Sequence, residues 1–256
     1  SQLSEMLRTK IMECQTNPDS QIELRSMAPL IQMQAERSHV PQKDEFLIET
    51  FESKDGYHAY FYPFEGRFVH EGMAAVIGYR LSLLQPISFS IALNDYGFEL
   101  LSDQPIPLEQ ALDNNIFTAD HLFDDIQASV NSTEMARRRF RDIASISGLI
   151  FRGFPGKNKK DKHIQASSQL FFDVFADYEK HNLLYLQAYE EVMEFQLEET
   201  RMQAAMNRIA AQTIVVKQLN KPSPFSFPIM VDRLNREKLS SEKLEDKIRK
   251  MKLDFD

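Results

Sequence analysis

The spacing of apolar residues along the 256-residue chain changes from helical to extended and back again. Met6, Leu7, Ile11 and Cys14 recur at helical intervals in SEMLRTKIMEC, and the polar loop QTNPD follows. Ser20 and Glu23 form an S-x-x-E capping box ahead of a second predicted helix that runs towards Ser38. Pro29 is expected to bend or divide that helix, and Pro41 to end the unit. From Phe46 the period becomes extended. FLIETFE and YHAYFY flank Lys54-Asp55-Gly56, which predicts a hairpin in which glycine supplies a positive φ. The pattern HEGMAAVIGYRLSLLQ predicts a helix over 70–85, stopped by Pro86. Its Gly72, Ala74, Ala75 and Gly78 give it a slim side that can lie close on a sheet. Ile87, Phe89, Ile91 and Leu93 then alternate with Ser88, Ser90 and Ala92 as a half-buried strand. The turn Asn94-Asp95-Tyr96-Gly97 returns the chain into FELLS. Hairpin, helix, hairpin predicts an α+β core: an antiparallel sheet with a helix laid on one face.

Beyond Pro105 and Pro107 the pattern is largely helical, which makes 44–103 sheet-rich and 108–256 helical. Leu108 to Asp113 is a short helix, and Thr118 is the expected cap of one carrying Leu122, Phe123 and Ile126. Thr133 to Gly148 reads as a helix with Met135, Phe140, Ile143, Ala144 and Ser147 inward, which leaves Arg137, Arg138 and Arg141 largely outward. His163–Tyr178 follows, and Asn182 is the expected cap of a long helix reaching Gln212. TIVVKQL is a candidate edge strand. The proline-rich NKPSPFSFP precedes two final helices, the second capped by Ser240 or Ser241.

Composition adds limits. Hydrophobic residues make up 43% and charged residues 27% of the chain, which suits an ordered globular protein with a sizeable core. Cys14 is the sole cysteine, so no internal disulfide framework or thiolate-rich zinc site is available, and a reducing cytosol fits. No apolar run reaches the roughly 18 residues that a membrane span needs. The sequence opens on Ser inside a helical pattern, so the expectation is a piece of a longer protein.

Charge changes the picture most. Between Arg137 and Lys162 nine basic residues meet only Asp142 and Asp161, a local charge of +7 in a chain of net charge −8. Such segregation is the footprint of a polyanion partner. It is equally the pattern of a solvated ion-pair network with nearby acids.

The candidate chemistry is sparse. Gly153-Phe154-Pro155-Gly156-Lys157 is too short for a Walker loop, is followed by Asn158, and loses one cradling N–H to proline. What remains is a cationic loop holding Lys157, Lys159, Lys160 and Lys162, able to touch phosphate without reading sequence. His70-Glu71 lacks the second histidine of a zinc motif. Glu49, Asp95 and Glu99 could gather magnesium as in a nuclease, although Asp95 is more simply a turn-former. Glu190, Glu194 and Glu198 stand at i, i+4, i+8, most simply a solvated acidic face near the basic segment, with docking of a basic partner the sharper reading. Tyr60 and Tyr62 are candidate base-stacking residues, with core packing the simpler reading.

Several long strings together resemble one family. They are YPFEGRFVHEGMAAVIGYRL (62–81), NDYGFELL (94–101), ARRRFRDIASISGLIFRGFPG (136–156), residues 164–202 and residues 224–251. They resemble the DEAD/H-associated domain that follows the motor in Lhr-type DNA helicases, most closely the ligase-associated DEXH-box helicases of bacteria. One departure is Glu179-Lys180-His181, where that family has an Asp-Pro-like turn before Asn-Leu-Leu. The resemblance implies a cytoplasmic, nucleoid-associated parent that translocates 3′-to-5′ on single-stranded DNA in repair. In that parent two RecA-like motor domains and a winged-helix domain come first, and ATP and Mg belong to the motor. Residues 1–38 would then be the helical connection from the winged-helix domain, and 39–256 the DEAD/H-associated domain. No cofactor, metal or catalytic residue is implied for this chain. Its partners would be single-stranded DNA, its own motor and winged-helix domains, and ligase-associated repair proteins. The expected phosphate contacts are Arg138, Arg141, Arg152, Lys157, Lys159 and Lys160.

Overall fold

The strands are built from runs that fill both sides of a sheet. In the computed structural model, which describes residues 2–151, 153–154, 157–158, 161–192 and 198–236, β1 is Glu45–Ser53. Phe46, Leu47, Ile48 and Glu49 are all buried, so β1 is central and shows no simple alternation. It pairs antiparallel with β2 (Gly56–Phe61) across the turn Lys54-Asp55. Gly56 has φ +131°, and a Cβ there would lie 2.2 Å from the Ser102 carbonyl oxygen, so the turn needs glycine for conformation and for space. The second hairpin, β3 (Ser90–Leu93) and β4 (Phe98–Ser102), joins through β4 to β2. β3 is shorter than the alternation of 87–93 predicts. In the turn Asn94 Oδ1 accepts from the N–H groups of Tyr96 (2.9 Å) and Gly97 (3.1 Å), so Asn94 rather than Asp95 shapes it. Residues Thr213–Leu219 form a further strand that pairs parallel with β1. Counting the two-residue β5 (Gly153–Phe154) and β6 (Lys157–Asn158), which pair only with each other, this strand is β7. The main sheet runs β3-β4-β2-β1-β7. The expected edge strand is therefore present, and its parallel pairing makes the sheet mixed.

Helices cover both faces. α3 (Arg67–Leu84) lies on the face of Phe46, Ile48, Ala59, Phe61, Phe98 and Leu100. Around it pack α4 (Leu108–Asp113), α5 (Leu122–Ala128), α6 (Val130–Ile146) and, further along the chain, α9 (Glu199–Ala210). α7 (Asp161–Tyr178) and α8 (Leu183–Glu191) extend this side through α6. The opposite face carries α1 (Gln2–Thr16), α2 (Ile22–Arg37) and α10 (Ser226–Arg236), whose Ile11, Leu24, Ile31 and Ile229 meet Leu47, Tyr60 and Tyr62. One predicted layer of helix is thus two.

Several local expectations change. α2 passes through Pro29 undivided. Its N-cap is Gln21, one residue after Ser20, with no side-chain bond; the Ser20 hydroxyl donates to the Asn17 carbonyl (3.0 Å), with Glu13 Oε1 at 3.2 Å. α5 starts after a left-handed His121, not at Thr118, whose hydroxyl is engaged with Asp120. Asn182 does cap α8, accepting from Leu184 N–H at 3.0 Å. The long helix to Gln212 is not continuous: Glu198 is left-handed (φ 47°) and α9 begins after it. Ser240 and Ser241 lie outside the described residues.

Candidate nucleic-acid interface

α6 carries the basic run, and its packing decides which arginines are free. Met135, Ala136, Phe140, Ile143 and Ala144 are buried. Phe140 sits edge-on to Phe172 (5.5 Å, 72°) and to Phe175 (5.8 Å, 80°) of α7. Tyr185 and Tyr189 of α8 close the same cluster on Phe172. Ser147 falls off the inner face because the helix ends at Ile146. Gly148 (φ +80°) reverses the chain there and brings Ile150 into the core.

Arg137 does not point outward as expected. Its guanidinium reaches Asp173 Oδ1 (2.7 Å) and Glu134 Oε1 (3.1 Å) and stands 5.5 Å from the Phe172 ring centroid. It fastens α6 to α7. Arg138 is exposed and Arg141 half-buried. At 100° per residue both fall opposite the Ala136–Phe140–Ile143 face. Of the remaining expected contacts, Arg152, Lys159 and Lys160 lie outside the described residues. Lys157 is placed by its backbone only, in β6 opposite Phe154. In the acidic series Glu194 lies outside the described residues. Glu198 stands at the N-cap of a separate helix, α9, and pairs with Arg201.

Tyr60 and Tyr62 are buried at 1% and 2% exposure and serve the core, not stacking. Burial, reinforced by Glu99 and Glu49, pushes both phenols well above their usual pKa. The three proposed magnesium carboxylates do not converge. Glu49 accepts from Gln34 Nε2 (2.7 Å), the Tyr62 hydroxyl (2.6 Å) and the Ser223 hydroxyl (2.5 Å). Glu99 meets His58 Nδ1 (2.5 Å) and the Tyr60 hydroxyl (2.8 Å), with Arg233 Nε 3.5 Å away. Asp95 sits apart and accepts from Arg67 N–H (3.3 Å) at the start of α3. Among the described residues no group of His, Cys, Asp or Glu could hold a metal. A cleft of about 310 Å³ beside α3 is lined in part by Arg80. That arginine is spent on Asp125 Oδ2 (2.7 Å) and on the carbonyls of Ile116 (2.6 Å), Thr118 (2.6 Å) and Asp120 (3.0 Å), which makes it a structural tie.

A second arginine cluster has no counterpart in the linear charge pattern. Buried Glu65 faces Arg8 Nη1 (2.5 Å), Arg208 Nη2 (3.4 Å) and Arg201 Nη2 (3.9 Å). Burial alone would raise the Glu65 pKa, but Arg8 and Arg208 hold it low. Burial, with repulsion from Arg8, brings Arg208 down to about 10. These arginines come from α1 and α9, nearly two hundred residues apart. Only the fold joins them.

The architecture is a three-layer α+β module with one helix presenting free arginines. The chain belongs to the DEAD/H associated family, whose model matches residues 40–226. It is 24% identical over 192 residues to the ATP-dependent helicase Lhr-Core of Methanocaldococcus jannaschii, covering 75% of this chain and 22% of that protein. For Lhr-Core of Saccharolobus solfataricus the identity is 25% over 199 residues, with the same coverages. The chain thus spans about a fifth of the length of these curated relatives. Among solved structures, Mycobacterium smegmatis helicase Lhr bound to ssDNA and AMP-PNP matches with a TM-score of 0.63 and 22% identity. That match covers 88% of this chain and 29% of the helicase, and it is a likeness of fold. Among the described residues no helix is long and apolar enough to cross a membrane.

Proposed function

We propose that this chain is the accessory DEAD/H-associated domain of an Lhr-type, ATP-dependent 3′-to-5′ DNA helicase of DNA repair. In this reading it contacts single-stranded DNA and packs on motor domains that hold ATP and Mg. The observation that carries it is the division of labour on α6. Arg137 is consumed by Asp173 and Phe172, while Arg138 and Arg141 face away from the core with no ion pair among the described residues. Guanidinia left free on a helix locked by an aromatic cluster are preorganised for phosphate. Arg152, Lys157, Lys159 and Lys160 extend the same basic segment. Residues 1–38 are the proposed connection from the winged-helix domain. Gln34 of α2 bonds Glu49 of β1 and accepts from Phe225 N–H (3.0 Å), so movement at this end would be passed rigidly to the sheet.

Replacing Arg138 and Arg141 with Ala should weaken binding to a single-stranded oligonucleotide about tenfold at low salt with the circular dichroism unchanged, since charged hydrogen bonds are worth about 1.5–3 kcal/mol each before solvent screening. Unchanged affinity refutes the assignment. One observation favours a second reading, a module that docks protein. On α7, Leu170, Val174 and Tyr178 form an exposed apolar stripe at i, i+4, i+8, continued by exposed Leu183. That reading predicts loss of a partner, not of DNA, when the stripe is made polar.

A further inference from the structure

The segments YPFEGRF (62–68) and NDYG (94–97) build a surface that the basic helix does not account for. They lie against one another at the end of the sheet. Phe64 N–H donates to the Tyr96 carbonyl (3.2 Å), and Arg67 N–H to Asp95 Oδ1 (3.3 Å). Tyr62 and Phe64 fill the core beneath, at 2% and 5% exposure. Phe68 and Tyr96, from the same two segments, remain 51% and 49% exposed. Arg67, next to Phe68 in sequence, is exposed, and its N–H is bonded to Asp95, the neighbour of Tyr96. Behind this edge stands the Glu65 cluster. Arg201 Nη2 lies 3.8 Å from where a Gly66 Cβ would be, so its guanidinium borders the start of α3. Arg8 and Arg208 both donate to the Pro63 carbonyl, at 3.3 and 3.1 Å. Two half-exposed aromatic side chains therefore rise from a junction whose backbone is tied to a cluster of guanidinia.

The charge at this place is nearly balanced. Arg8, Arg67, Arg201 and Arg208 stand among Glu65, Asp95 and Glu198, so long-range attraction of phosphate is weak here. Aromatic faces and guanidinium planes bind unpaired bases by stacking, which every base offers and salt barely screens. We propose that Phe68 and Tyr96 form a base-stacking platform for single-stranded nucleic acid, with Arg67 and Arg201 as flanking cations. This rests on the reading that the domain handles single-stranded DNA, but it assigns a different surface and a different kind of contact. α6 holds phosphates in a salt-sensitive way; the 64–68 and 95–96 junction holds bases.

The test uses the chain with two probes of equal length, oligo(dT) and an abasic single strand. The double variant F68A/Y96A should lose about tenfold affinity for oligo(dT), within the span expected for stacked bases, and nothing for the abasic strand. Both side chains are about half exposed, so folding should be unaffected. R138A/R141A should lose affinity for both probes, which separates the two surfaces. In addition, an oligo(dT) carrying 5-iododeoxyuridine should photo-crosslink to the peptides containing Phe68 or Tyr96. If F68A/Y96A binds oligo(dT) as the wild type does, or crosslinks fall only elsewhere, the platform is overturned while the α6 interface stands. If the wild type binds neither probe at low salt, both assignments fall.

Discussion

Glu49→Gln is a one-atom change that separates a structural carboxylate from a metal-binding one. Glu49 is fully buried and receives three donors: Gln34 Nε2 on Oε1, and the Tyr62 and Ser223 hydroxyls on Oε2. A glutamine has one oxygen acceptor and one NH2 in their place. With its oxygen towards Tyr62 and Ser223, its NH2 faces the Gln34 NH2. Gln34 cannot flip without penalty, since its Nε2 also donates to the His39 carbonyl (3.0 Å) and its oxygen accepts from Phe225 N–H. At least one buried donor is then left without a partner, and the remaining bonds lose their charge assistance. Each such loss costs about 1–3 kcal/mol, so about 3 kcal/mol in total is expected, with the Tm lowered by about 6–12 °C. Urea and thermal unfolding measure this, and the wild type should show no shift of Tm with millimolar Mg2+. Unchanged stability in Glu49→Gln, together with a Mg2+-dependent rise in the wild type, would refute the structural role and revive the nuclease reading.

Two further outcomes follow from named groups. Gly56→Ala should cost at least about 2 kcal/mol, because it combines a strained φ with a Cβ against the Ser102 carbonyl; Gly148→Ala, also at positive φ but with nothing within 4 Å, should cost only about 1 kcal/mol in the same urea assay. His70 is held neutral by burial with a pKa of about 4, its Nε2 accepting from Glu65 N–H and its Nδ1 donating to the Asn94 carbonyl. Its folded pKa lies below the ordinary 6.5, so its contribution is whole above pH 6.5 and is lost as pH falls towards 4. Urea midpoints should report about 2 kcal/mol lost by pH 5, a slope that His70→Gln flattens; stability that does not fall over this range would contradict the assignment.

The hairpins, α3 and the edge strand were legible in the sequence because each rests on local signals: turn residues, period and a stopping proline. The second layer of helices was not. Nothing in α1 or α2 says that Ile11, Leu24 and Ile31 will meet Tyr60 and Tyr62, since burial on both faces of β1 erases the alternation that would announce it. The capping box at Ser20 and the cap at Thr118 fail for a shared reason: each helix starts later in the chain, after Gln21 and after His121, so neither hydroxyl stands at the N-cap position. The site was half legible. Charge clustering located α6, but it could not show that Arg137 turns inward onto Asp173 while Arg138 remains free. The Glu65 cluster was invisible, because its arginines lie far apart in sequence. The acidic series misled because a helical spacing was carried as far as Glu198, which is left-handed and opens a new helix.

The central claim is that the basic segment binds the backbone of single-stranded DNA, and the salt dependence of oligo(dT) affinity tests it most directly. The wild type is compared with a variant in which Arg138, Arg141, Arg152, Lys157, Lys159 and Lys160 are all Ala. Each phosphate contact should contribute about −0.7 to the slope of log K against log salt, so the variant should flatten it by up to about 4. An identical slope in both proteins would contradict the account.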